Sequence, residues 1–119
     1  MEAERKQQLV DLGINVDEML ERFMGNSQMI EKFLKKFLQE SHYQKLQEAL
    51  AQEDVTGAFE EAHALKGVCG NLSLVNLYKC ISQQVEYLRC GELEQAKEMM
   101  PEVEAEYKKI INGLSELLG

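Results

Sequence analysis

Apolar residues recur at three- and four-residue spacing through most of the chain, the pattern of helices that each bury one face. The cleanest run is Ile30, Phe33, Leu34, Phe37 and Leu38, with Ser27 read as its cap. It continues less regularly through Leu46, Ala49 and Leu50. Ser41 and Lys45 fall near the middle of that apolar face, which predicts a bend or a wet patch there. A second stripe, Val55, Ala58, Phe59, Ala62, Leu65 and Cys69, begins at Glu53-Asp54. A third, Leu74, Leu77, Cys80, Ile81, Val85 and Leu88, is read as capped by Ser73, and it carries one amide, Gln84, on its apolar face. Leu93, Ala96 and Met100 lead to Pro101, which suits a first helical turn or a kink. Val103, Tyr107, Ile110, Ile111, Leu114 and Leu118 close the pattern.

Four long elements follow, over residues 27–51, 54–71, 73–90 and 93–118, with a break near Pro101. Ahead of them lie two short pieces. Residues 2–11 end at Gly13, and a second piece starts with Asn15 or Asp17 as cap and stops at Gly25-Asn26. Short turns between long helices predict an all-α, antiparallel up-down four-helix bundle, with one or two short N-terminal helices capping one end. The chain has no strand pattern and no internal repeat, so 119 residues read as one domain.

Composition narrows the function. A formal net charge of −8 argues against nucleic acid or an anionic membrane as partner. No apolar run reaches the roughly 18 residues of a membrane span, and the first residues do not resemble a signal peptide, so a cytoplasmic protein is expected. Cys69, Cys80 and Cys90 lack C-x-x-C spacing, and Cys69 and Cys80 fit as small buried hydrophobes. There is no Gly-rich phosphate loop and no carboxylate cluster for a metal, so ATP-dependent kinase activity is not expected.

The stretch Ala62-His63-Ala64-Leu65-Lys66-Gly67-Val68-Cys69-Gly70-Asn71-Leu72 carries the chemistry. Residues three, four and seven positions after a helical histidine lie beside it, so Lys66 brings a cation to His63 while Gly67 and Gly70 leave its approach open. His63 falls about 100° around the helix from Ala62, on the shoulder of the buried stripe. Glycine in a helix costs about 1 kcal/mol relative to alanine. A helix stop at Gly67 is the competing reading, but Val68, Cys69 and Leu72 continue the pattern and place the end near Asn71. Imidazole is largely neutral near pH 7 and nucleophilic, so the arrangement suits a nucleophile that meets a large anionic partner. His42, on the flank of the first long stripe, reads as a solvated surface histidine.

His63-Ala64-Leu65-Lys66-Gly67, with Gly70-Asn71-Leu72 behind it, resembles the signature of histidine-containing phosphotransfer (HPt) domains. Asp17 to Gly25, followed by Phe33-Leu34-Lys35-Lys36-Phe37, is similar to the segment leading into that family's first bundle helix. The likeness runs from about residue 12 to the C-terminus. It implies a phosphocarrier, phosphorylated stoichiometrically, that accepts a phosphoryl group from a receiver-domain aspartate or a kinase and passes it to another receiver aspartate. By position, His63 would be the phosphoacceptor, Lys66 the phosphate-stabilising cation and Gly67 the access-permitting glycine. No cofactor is expected in this chain. An acidic pocket with Mg²⁺ would come from the receiver partner.

One ring nitrogen must attack while the other is held. Gln84 is a candidate holder, against the alternative of a core amide bonded to backbone, and the family usually has an apolar residue there. Expected partners are response-regulator receiver domains or a hybrid sensor histidine kinase, with the chain a monomer. Met99 and Met100 are open to a core or a contact role. Three other readings exist: a scaffold that binds receivers without phosphorylation, the phosphotransfer segment of a larger hybrid or chemotaxis-type kinase, and a metal- or haem-binding bundle. The last lacks a second well-placed ligand.

Overall fold

The irregular stretch around Ser41 is where the first long element divides. The computed structural model describes residues 1–119 and contains eight helices: α1 (Ala3–Asp11), α2 (Val16–Arg22), α3 (Ser27–Phe37), α4 (His42–Ala51), α5 (Val55–Asn71), α6 (Val75–Arg89), α7 (Leu93–Glu98) and α8 (Met100–Leu118). The single helix expected over 27–51 is therefore two, α3 and α4. Glu40 starts the second. Its Oε2 accepts the backbone N–H groups of His42 at 2.6 Å and Tyr43 at 3.3 Å, donors that have no partner within the helix. Its Oε1 accepts the phenol of Tyr107 in α8, whose ring stacks on Tyr43 with centroids 3.8 Å apart. Burial, then the Glu40 carboxylate, hold the Tyr107 phenol well above its ordinary pKa.

Three helix starts follow one device, a side-chain oxygen accepting the N–H three residues on. Asn15 does this for Glu18, Asn26 for Met29 and Asp54 for Gly57. Asn26, not Ser27, thus caps α3, since Ser27 already lies inside the first turn. Ser73 does not cap α6 either. It follows the end of α5 with φ at 55°, a left-handed conformation that stops a helix, and Leu74 takes the N-cap position. Pro101 lies in the first turn of α8, after a break at Met99.

α5 packs between α4 and α6, and α8 closes the bundle against α6 and α3. Every residue that α5 buries, Ala58, Ala62, Leu65 and Cys69, belongs to the expected stripe, and all four are inaccessible to solvent. Met99 and Met100 are half-buried against this core. The α1–α2 connection is tied to the α5–α6 turn by Asn15 N–H to Ser73 O at 2.9 Å and Val75 N–H to Gly13 O at 3.0 Å. The result is an all-α bundle with α1 and α2 at the end where α5 meets α6. None of its helices is long and apolar enough to cross a membrane.

Candidate functional site

The face of α5 that the bundle leaves uncovered is Thr56, Glu60, His63, Gly67 and Asn71, a stripe at steps of three and four residues. His63 is at its centre and exposed. One turn earlier, Phe59 lies against the imidazole with ring centroids 5.7 Å apart. The Arg89 guanidinium of α6 in turn sits 5.1 Å from the Phe59 centroid. One flank of the histidine is thus backed by an aromatic ring that is itself held in place.

On the other side, Lys66 is half-buried with its ammonium 5.8 Å from the centroid of Tyr78 in α6. That contact steadies a flexible cation without neutralising it. The two glycines differ. A Cβ at Gly67 would meet nothing within 4 Å, so no packing requirement keeps a side chain out of this position. A Cβ at Gly70 would come within 3.3 Å of the Tyr78 ring, so Gly70 makes room for Tyr78 and, through it, for the seat of Lys66.

His63, Lys66, Gly67, Gly70, Asn71 and Tyr78 line an open depression of about 340 Å³, together with a residue that the sequence reading missed, Arg22 of α2. Two cations and no carboxylate line this depression in a chain of net charge −8. Arg22 is fixed there. Its Nη1 donates to Asn71 O at 3.0 Å and Ser73 Oγ at 2.8 Å, and its Nη2 to Glu18 Oε1 at 3.0 Å. Ser73 Oγ also donates to the same Glu18 oxygen at 2.8 Å. The hydrogen bonds from Ser73 and then Arg22 hold the Glu18 carboxyl below its usual pKa. Glu18, four residues before Arg22, was a local sign of an ordered arginine, but nothing local indicated its partners on α5 and beyond.

Gln84 does not serve the imidazole. It is fully buried, and its Nε2 donates to Ala96 O at 3.0 Å and lies 3.2 Å from Met100 Sδ. The amide is thus spent joining α6 to α7 and α8, the backbone-bonded alternative weighed against the orienting role. His42 is no free surface histidine: its Nδ1 pairs with Glu61 Oε2 at 2.7 Å, pinning the start of α4 to α5. Cys69 and Cys80 are buried, and burial pushes the Cys80 thiol up to about 11, while Cys90 is exposed. Nowhere do three His, Cys, Asp or Glu side chains come together as a metal site.

A family model for the Hpt domain matches residues 18–113. The chain belongs to the Hpt domain family. Hpt domains are phosphocarriers that act in histidine phosphotransfer within phosphorelays and interact with receiver domains and kinases. No curated protein and no solved structure matches the chain significantly. In this Hpt domain the match begins inside α2, so it takes in Glu18 and Arg22 as well as the histidine of α5.

Proposed function

We propose that this Hpt domain carries a phosphoryl group on His63, taken from the phosphoaspartate of a receiver domain or from a kinase and passed to a response-regulator aspartate. The observation that carries the reading is the centre of the exposed face of α5. An accessible imidazole stands there one turn before a glycine at which a Cβ would meet nothing. In the forward step the free ring nitrogen attacks phosphorus, the P–O bond to the aspartate breaks, and the carboxylate leaves. The proton on the second ring nitrogen stays in place. Lys66 offsets the charge of the transferring group, which asks the protein mainly for position and field.

This chain supplies half of the reaction centre. The aspartate, the acidic pocket and its Mg²⁺ belong to the receiver, and Mg²⁺ when bound there neutralises phosphoryl charge. The experiment is to incubate the protein with a phosphorylated receiver domain and Mg²⁺ and follow acid-labile, base-stable label. Label on the wild type and none on His63→Gln is expected. An unlabelled wild type that still binds the receiver would replace phosphotransfer with a scaffold role. Equal label on His63→Gln would move the acceptor elsewhere.

A further inference from the structure

Resting on His63 as phosphoacceptor, we infer that Arg22 is a second phosphoryl-stabilising residue, supplied from α2 and acting together with Lys66. The depression beside His63 is lined by Arg22, Lys66, Tyr78, Asn71 and the two glycines, with no acidic side chain among them. The counter-charge of Arg22, Glu18, is not among them; it lines a neighbouring cavity together with Arg22, Cys69, Leu74 and Val75. Arg22 thus borders both cavities and Glu18 only the second, so the guanidinium and not its carboxylate partner lines the depression beside His63.

Three features make this arginine more than a surface charge. Its three hydrogen bonds to Asn71 O, Ser73 Oγ and Glu18 Oε1 use Nη1 fully and Nη2 once. A guanidinium has five N–H donors, so two remain for anion oxygens. Those bonds also hold it in one place before any phosphate arrives, so little reorganisation is needed when charge develops. Finally, Asn71 O is one of the last carbonyls of α5, at the negative end of the helix. Covering it offsets part of the negative potential at that helix end.

The test needs no partner protein. His63 is loaded with excess phosphoramidate, ammonia leaving as the new P–N bond forms, and the phosphoryl group is titrated by ³¹P NMR. A positive charge lining the same depression, screened as in water, lowers the pKa of the phosphoryl group by a few tenths of a unit. Arg22→Gln should raise it by that amount, and Arg22→Lys, which keeps the charge, should restore most of the wild-type value. Ser73→Ala, which keeps the cation and removes one of its three anchors, should raise the pKa by less than Arg22→Gln does. An unchanged titration in Arg22→Gln overturns the inference. So does an equal shift in Ser73→Ala, or a lysine variant that behaves like glutamine. A wild type that phosphoramidate cannot label on His63 removes the phosphoacceptor reading itself, an outcome separate from a labelled protein indifferent to Arg22.

Discussion

Gly67 offers the sharpest test, because the fold and the chemistry ask opposite things of it. It lies well inside α5, it is exposed, and an added Cβ would meet no atom within 4 Å. Glycine in a helix interior costs about 0.5–1 kcal/mol relative to alanine through backbone entropy. With no steric term to set against it, Gly67→Ala should stabilise the protein by about that amount. For a domain of this size the melting temperature should rise by about 2–5 °C. Transfer should move the other way. Side chains on a helix lean toward its N-terminus over the residues three and four positions back, so a long side chain at 67 reaches over His63 although a methyl group does not touch it. Gly67→Leu should cover the ring edge and slow phosphoryl transfer roughly 10²-fold, the scale of a reacting pair held an ångström off line. It should still melt no lower than wild type by more than about 1 kcal/mol, since leucine is a good helix former. Thermal denaturation followed by circular dichroism reads the first effect, and transfer from a phosphorylated receiver reads the second. If Gly67→Ala melts lower than wild type, the glycine has a structural role. If Gly67→Leu transfers at the wild-type rate, the access argument is wrong.

Two further predictions concern Gln84 and Glu18. Gln84→Leu should leave stability within about 1 kcal/mol of wild type: Ala96 O keeps the Met99 N–H, and the unpaired Gln84 Oε1 is no longer buried. Its His63 ring resonances should not move, and a shifted imidazole would reinstate Gln84 as its partner. Glu18 has a folded pKa below its ordinary value, so it contributes stability above the usual carboxylate range and loses it as pH falls through the folded value. Glu18→Gln should therefore narrow the gap between melting temperatures at pH 7 and pH 3, and an unchanged gap would show that the clamp contributes nothing.

What the sequence revealed divides along a physical line. The histidine, lysine and glycine of α5 are related by i, i+3 and i+4 offsets, which any helix satisfies, so their neighbourhood could be read without knowing the fold. The apolar stripes likewise gave the bundle, and Ser41 and Lys45 on an apolar face marked the division between α3 and α4. The misreadings are all tertiary or a matter of one position. Asn26 and Ser27 are both good caps in adjacent places, and only the backbone decides between them. Ser73 looked like a cap because its hydroxyl is free to bond, yet that hydroxyl goes to Glu18, 55 residues away in sequence. Gly70 lines the depression beside His63, but nothing local shows that it also makes room for Tyr78. Gln84 faces the core as its stripe position requires, but its direction toward α7 follows from a helix that the pattern defined poorly.

The two cations beside His63 therefore depend on the fold to different degrees. Lys66 is placed by α5 itself and steadied by the helix packed directly against it. Arg22 reaches the site only because α2 is fastened to the α5–α6 turn, through the backbone pairing of Gly13–Asn15 with Ser73–Val75 and through its own bond to Asn71 O, 49 residues distant. Disturbing that fastening should leave the histidine, the lysine and the open glycine where they are, since all three are carried by α5. It removes one of two positive charges from a depression that has no acidic residue to compensate. Changes at this end of the bundle should thus act on the charge the site presents to a phosphoryl group, and not on the access of a partner to the ring.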